Sequence, residues 1–293
     1  MEQVLINGVG SELQGVGRLA DGRAVFVPGA IPGETVRVEI TQDKGRFCEA
    51  ALVDVAEPSP DRVIPDCPHA GRCGGCQARH MRYERTLALK RQVVADALER
   101  IGGVDAPSVF PTLGCASPNR TRNKAEYPID RKSGHTAIGA YAHGSREVIP
   151  LEDCLLQRPE SVRALNCLAA NLDKLNCAPH LKTLVTRVNR EGKLMAVLCA
   201  DAPVLPEIKA LAPRLQAALP ELKSLYLCQL NRSPVHALDG RCTLVWGAPV
   251  LAETLLGLSF EVSPNPSSRL TRHRRRSSTP KPWKPPESRR TAV

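Results

Sequence analysis

The sequence predicts a multidomain α+β chain with an N-terminal, OB-like β-barrel, a loop rich in cysteine and glycine, and a central mixed α/β domain. Three observations predict this fold class. Short segments with strand-like alternation fill residues 1–60, three closely spaced cysteines follow, and strand-like and helix-like segments alternate from about Asn119. We therefore expect a barrel over 1–60, the cysteine loop and α/β domain over 61–264, and a separate tail over 265–293.

The barrel is predicted from short strands that turn signals separate. Val36, Val38 and Ile40 alternate with Arg37 and Glu39, which is the period of a half-buried strand. Several strands of this length in 60 residues favour a small closed barrel, which leaves no free sheet edge. A barrel that serves only for packing remains an alternative, because residues 1–61 hold five basic and ten acidic side chains.

The cysteine loop predicts a metal site. Cys67, Cys73 and Cys76 have the spacing C-x5-C-x2-C with glycines between them, so the backbone can fold back and bring the sulfur atoms to one centre. Cys154, which follows the apolar run 148–151, is the candidate fourth ligand. Two alternatives stay open, namely a zinc site in which a histidine replaces one thiol, and cysteines that bind nothing. The two candidate histidines are His69 and His80.

The chain has 11 cysteines and no N-terminal segment with the basic and apolar pattern of a signal peptide, which favours a reducing cytoplasm over a secreted disulfide scaffold. No apolar run is long enough to span a bilayer, so we expect no membrane contact. The seven other cysteines lack ligand spacing and are assigned no function: Cys48, Cys115, Cys167, Cys177, Cys199, Cys228 and Cys242.

The net charge of +10 is concentrated in the tail. Residues 265–293 hold nine basic side chains and one acidic side chain. Residues 62–132, which include the cysteine loop, hold 13 basic and seven acidic side chains, whereas residues 133–264 are nearly neutral. We therefore expect an RNA-binding surface to centre on the cysteine loop.

The block C-x5-C-G-G-C, together with Val-Ile-Pro-Leu-Glu-Asp before Cys154, resembles the iron-sulfur motif of the 23S rRNA (uracil-5-)-methyltransferase family. The resemblance extends from residues 1–62, which look like the family's TRAM domain, to the Phe-Glu-Val-Ser-Pro segment at 260–264. It implies a 4Fe-4S cluster on Cys67, Cys73, Cys76 and Cys154.

The resemblance also implies the activity. Family members transfer a methyl group from S-adenosylmethionine to C5 of a flipped uridine in ribosomal RNA, after a cysteine thiolate adds to C6. The implied partner is therefore 23S rRNA. For RNA contacts we expect Arg120, Arg122 and Lys124, which alternate along one segment, with Tyr141 and His143 as stacking or hydrogen-bonding groups. A solvated charged face is the alternative for these residues.

The tail predicts a break in the family pattern. Residues 265–293 are basic and rich in proline without apolar periodicity, whereas a shift of one nucleotide near Asn265 can encode the family's Ser-Phe-Phe-Gln-Val-Asn motif. We therefore expect a truncated or frameshifted chain with a disordered tail. In family members the cofactor loop and catalytic residues follow this motif. The expectation is thus a chain without its C-terminal Rossmann-like methyltransferase domain and without catalytic residues.

In that interpretation, residues 85–117 would pack on the missing domain. The apolar side chains of Leu87, Val94 and Leu98 would then be exposed, in a monomer that aggregates. Two other classes of protein remain as alternatives to this interpretation. One is a zinc-containing RNA-binding protein with a genuine basic tail. The other is a radical S-adenosylmethionine enzyme, which would need C-x3-C-x2-C and a TRAM domain at the other end of the chain.

Overall fold

The computed structural model describes residues 1–105, 109–132 and 135–264, so the predicted disordered tail over 265–293 lies outside the described residues. Three α-helices are described: α1 (Tyr83–Arg100), α2 (Pro159–Leu172) and α3 (Leu205–Ala218). The strands are β1 (Glu2–Val9), β2 (Gly15–Arg18), β3 (Ala24–Val27), β4 (Thr35–Asp43), β5 (Phe47–Glu57), β6 (Lys124–Lys132), β7 (His135–Tyr141), β8 (Val148–Pro150), β9 (Leu181–Val188), β10 (Leu194–Ala200), β11 (Leu222–Leu230), β12 (Gly240–Gly247), β13 (Leu251–Leu255) and β14 (Leu258–Val262).

The first five strands close into a barrel in the order β1-β2-β3-β5-β4. The alternation in β4 buries Val36 and Val38 in the barrel core, while Arg37 and Glu39 point to solvent. Gly17 is required by close packing, because a Cβ there would lie 2.3 Å from Cγ1 of Val4 on β1. The core of this barrel is aliphatic.

The barrel is joined to α1 by an apolar contact. Ile31, Met81 and Leu89 are buried together between the barrel and the start of the helix. The backbone of the linker pairs at the same place, where Arg62 forms an isolated antiparallel bridge with Met81. The linker therefore holds the cysteine loop against the barrel.

The central domain is a seven-stranded sheet in the order β12-β11-β10-β9-β6-β7-β8. Strands β10 and β11 run parallel and are connected through α3, and the other neighbours in the described sheet are antiparallel. Helices α2 and α3 cover one face, where Leu165, Leu168 and Ile208 are buried against the strands. Both faces of β10 are covered, which explains why this strand is apolar throughout.

Helix α1 contacts the barrel through a face that does not include the apolar stripe of Leu87, Val94 and Leu98. Its buried residues are Thr86, Leu89 and Ala95, because the contact with the barrel involves the face that carries Leu89. The stripe for which exposure is expected is partly exposed, since Leu87 and Leu98 are half-buried and Val94 is 50% exposed. None of the described helices has the length and apolarity needed to cross a membrane.

Candidate metal and nucleic-acid site

The cysteine loop has little secondary structure of its own and is held by the end of β7. Cys73 forms an isolated antiparallel bridge with Ala142. The backbone N–H of Gly74 donates to the carbonyl of Tyr141 at 3.0 Å, and the N–H of His143 donates to the carbonyl of Arg72 at 2.8 Å. The position of the loop therefore depends on the central sheet.

Cys154 lies just beyond β8 and is held by polar contacts. Nη1 and Nη2 of Arg120 donate to Oδ1 and Oδ2 of Asp153, each at 2.7 Å. Nη1 of Arg120 also donates to the carbonyl of Cys154 at 2.7 Å, and the backbone N–H of Cys154 donates to Oδ1 of Asp153 at 2.7 Å. These contacts restrain the peptide groups on both sides of the Cys154 side chain.

The four candidate ligands line one cavity of about 1240 Å³, which lies between the cysteine loop, strands β6 and β7, and the loop that joins β11 to β12. Cys67, Cys73 and Cys76 come from the cysteine loop, and Cys154 comes from the segment that follows β8. Cys76 and Cys154 are 78 residues apart in the sequence, yet the fold brings both to this cavity.

The thiols also interact electrostatically. Burial raises the pKa of Cys73, a hydrogen bond from the N–H of Gly75 opposes this, and negative charge on Cys154, Cys76 and Cys67 raises it further. Across the ranges that the structure describes, no group of three or more His, Cys, Asp or Glu side chains forms a compact metal-binding arrangement. The four thiols thus line one cavity and interact with each other.

The two histidines considered as zinc ligands lie in different places. His69 lines the cavity, whereas His80 lies at the junction with the barrel, where its backbone carbonyl accepts a hydrogen bond from Val63. Burial lowers the pKa of His80 to about 4, and the nearby positive charge of Arg62 adds to this effect. The structure thus brings only His69 of the two to the cysteines.

The predicted RNA-contact residues do not all reach the cavity. Arg122, Lys124, Tyr141 and His143 line it, and Tyr141 is 49% exposed. Arg122 makes no ion pair within the described part of the chain, while Nζ of Lys124 donates to Glu126 at 2.5 Å. The guanidinium of Arg120 is directed to Asp153 instead.

Sequence reasoning missed several polar residues of the cavity. Arg146 comes from the turn between β7 and β8, Lys182 from the start of β9, and Arg232 and His236 from the loop after β11. Nζ of Lys182 lies 2.9 Å from Oδ2 of Asp201. No local motif marks these residues, because only the strand order of the sheet brings them together.

Comparison with known proteins identifies the barrel. Residues 2–53 match the TRAM domain. An RNA methyltransferase of Halalkalibacterium halodurans, described as uncharacterized, is 33% identical over 271 residues, which are 89% of this chain and 59% of that protein. One from Nostoc sp. is 36% identical over 280 residues, with 90% and 59% covered. This chain therefore spans about three fifths of the length of these relatives.

The fold is similar to that of a solved structure, the Pyrococcus abyssi tRNA (uracil-54, C5)-methyltransferase in complex with S-adenosyl-L-homocysteine. The TM-score is 0.63 with 21% sequence identity, and the match covers 90% of this chain and 60% of that one.

These matches correct one expectation. The fold-class prediction that the C-terminal Rossmann-like methyltransferase domain is absent is wrong, because similarity to methyltransferases covers 89% of this chain in sequence and 90% in structure. The tail on which that prediction rested lies outside the described residues. The chain thus carries a TRAM domain and is similar along most of its length to proteins named RNA methyltransferases.

Proposed function

We propose that the protein is an S-adenosylmethionine-dependent RNA methyltransferase that acts on C5 of uridine in 23S rRNA. In this proposal the described residues bind the RNA and hold a 4Fe-4S cluster on Cys67, Cys73, Cys76 and Cys154. The TRAM match and the names of the relatives support the class of reaction. The cavity that joins four cysteines to basic and aromatic side chains is the observation that carries the proposal.

The donor set supports an iron-sulfur cluster. Four cysteines line one cavity, and negative charge on the other three raises the pKa of Cys73, so the four thiols lie near one another. Four thiolates are the usual ligand set of a 4Fe-4S cluster. A zinc ion can take the same four ligands, and metal analysis separates the two centres.

The cluster would have a structural role. It would connect the cysteine loop, which the linker and the end of β7 hold, to the segment that follows β8. The same connection would fix the cavity wall that carries Tyr141 and His143. Chemistry at the uridine would come from bound S-adenosylmethionine, as the cofactor product in the Pyrococcus abyssi structure suggests.

The RNA would bind along the cavity rather than on the barrel. Residues 62–132 carry an excess of six basic side chains, and residues 1–61 an excess of five acidic ones. Arg122 would contact phosphate, and Tyr141, which is half exposed, would stack on an unpaired base. A 23S rRNA target and a reduced iron-sulfur site both agree with a cytoplasmic location.

The cluster is tested on anaerobically purified protein by iron and acid-labile sulfide analysis. We expect four of each per chain, and we expect Cys154→Ser to lose at least one iron. Cys115→Ser is the matched control, because Cys115 is exposed and remote from the other thiols in sequence. One zinc ion per chain, without sulfide, would instead favour the zinc-containing alternative.

The RNA target is tested in two ways. Binding of the purified protein to 23S rRNA fragments and to tRNA is compared over a salt series, with Arg122→Ala and Tyr141→Ala as variants and the exposed Arg190→Ala as control. Mass spectrometry of 5-methyluridine in cells without the gene then identifies the substrate. Loss of a 5-methyluridine from 23S rRNA supports the proposal, and loss from tRNA alone overturns its choice of RNA.

A further inference from the structure

We infer that Arg120 and Asp153 form a clamp that positions Cys154 as the fourth cluster ligand. This inference rests on the proposed function and assigns Arg120 to a different role from the RNA contact that its place in the sequence suggests. Its basis is the set of contacts around Cys154, which comes from a part of the chain far from the other three cysteines.

The clamp acts on the backbone of the ligand. The guanidinium of Arg120 binds both carboxylate oxygens of Asp153 in a fork, and the same Nη1 holds the carbonyl of Cys154. Oδ1 of Asp153 accepts from the N–H of Cys154. The two polar groups of this residue's backbone thus both bind the ion pair, and its carbonyl also accepts from the N–H of Gln157 at 3.1 Å, which leaves the thiol as the free end.

The backbone of Arg120 also contacts the segment that follows Cys154. Its φ angle is +59°, in the left-handed region that favours glycine, and its N–H donates to the carbonyl of Leu155 at 2.7 Å. Two residues on, Arg122 forms a parallel bridge with Gln157. The segment before β6 therefore runs beside the segment after Cys154, and the guanidinium is directed at the ligand by this short pairing.

The contacts of the guanidinium explain why the clamp needs an arginine at position 120. A lysine at 120 would supply one charge without the planar fork, so it would not hold the carboxylate and the carbonyl of Cys154 together. Glycine would suit the left-handed backbone better and would remove the guanidinium. Comparison of these two replacements therefore separates the side chain of Arg120 from its backbone.

The test uses the full chain, reconstituted anaerobically with iron and sulfide and then exposed to air. The readouts are iron content, the rate of loss of cluster absorbance, and the electron paramagnetic resonance signal of a three-iron cluster. We expect Arg120→Gly and Arg120→Ala to lose the cluster roughly 10–100-fold faster through the three-iron form, as for partners that orient metal ligands, with Arg120→Lys intermediate. Arg37→Ala, which removes a comparable fork with Asp54 on the barrel, should match wild type.

A double variant makes the test specific. In a Cys154→Ser background the clamp has no thiolate to position, so Arg120→Gly should have no further effect. Unchanged cluster lifetime in Arg120→Gly, with a loaded wild type, overturns the clamp and leaves the proposed function standing. A wild type that binds no iron overturns the proposed function, and the clamp with it.

Discussion

Arg62 places its guanidinium on the fully buried carboxylate of Glu34, with Nε 2.5 Å from Oε1 and Nη2 2.6 Å from Oε2. Nη2 also donates to the carbonyl of Gly29 at 2.7 Å. Glu34 lies immediately before β4 of the barrel, and Arg62 starts the segment that leads to the cysteine loop. The two parts of the chain are thus joined by a charged pair as well as by the apolar contact at Met81.

Loss of the ion pair between Arg62 and Glu34 should destabilise the folded chain. Burial alone would raise the pKa of Glu34, but hydrogen bonds from Arg62 and from the N–H groups of Ile31 and Ser59 outweigh it, so the pKa is below its ordinary value. Arg62→Ala would leave a buried charge without its partner, and we expect a loss of about 3–5 kcal/mol in the free energy of unfolding. Urea denaturation checks this. Arg37→Ala, at an exposed pair, should leave the free energy of unfolding nearly unchanged.

His80 predicts a pH dependence. Its pKa is about 4 in the folded chain and about 6.5 in the unfolded chain, so the unfolded state takes up the proton first as the pH falls. Stability should therefore decrease from pH about 6.5 down to about 4, and His80→Gln should flatten that part of the profile. The urea concentration at the midpoint of unfolding, measured at several pH values, gives this pH profile. Parallel profiles for the variant and the wild type would contradict the prediction.

Gly139 predicts a steric effect next to the candidate site. A Cβ at this position would lie 1.9 Å from the carbonyl oxygen of Ile149 on β8. We expect Gly139→Ala to displace β8 and to cost about 1–3 kcal/mol, measured by thermal unfolding. Gly8→Ala in β1 is the control, because its Cβ would meet Val16 at an ordinary 3.6 Å. Equal losses in both variants would exclude the steric explanation.

The cysteines should differ in reactivity. A hydrogen bond with Cys199, together with burial, raises the pKa of Cys228 to about 12, so its thiol stays protonated and inaccessible. Cys115 is exposed. Iodoacetamide at pH 8 should modify Cys115 first and Cys228 only after unfolding, as mass spectrometry of peptides would show. Early modification of Cys228 would mean that β11 opens readily.

Local pattern predicted much of the secondary structure. The alternation around Val36 and Val38 placed β4 correctly, and the strand-like and helix-like segments from about Asn119 agree with the α/β order of the central domain. The same reasoning did not recognise β1, although Val4 and Ile6 alternate there, nor the short strands β13 and β14. No residue of β14 is fully buried, so its periodicity is weak.

The candidate site was predictable only in part. Spacing alone selects Cys67, Cys73 and Cys76 as candidate ligands, because residues close in sequence need no tertiary information to be grouped. Asp153 and Arg232 could not be found in this way, since their relation to the cysteines exists only through the strand order. Arg120 was assigned to a strand face by alternation, yet its left-handed backbone precedes β6 and turns the side chain toward Asp153.

The attachment of the cysteine loop to the end of β7 has a consequence for biosynthesis. Cys76 leaves the ribosome 78 residues before Cys154, and the loop has no partner until the segment around Ala142 has been made. At translation rates of about 5–20 residues per second, the first three thiols of the proposed cluster site would wait roughly 4–16 s for the fourth. During that interval the nascent chain is open to oxidation and to capture of the wrong metal, so its maturation should depend on a well-reduced cell.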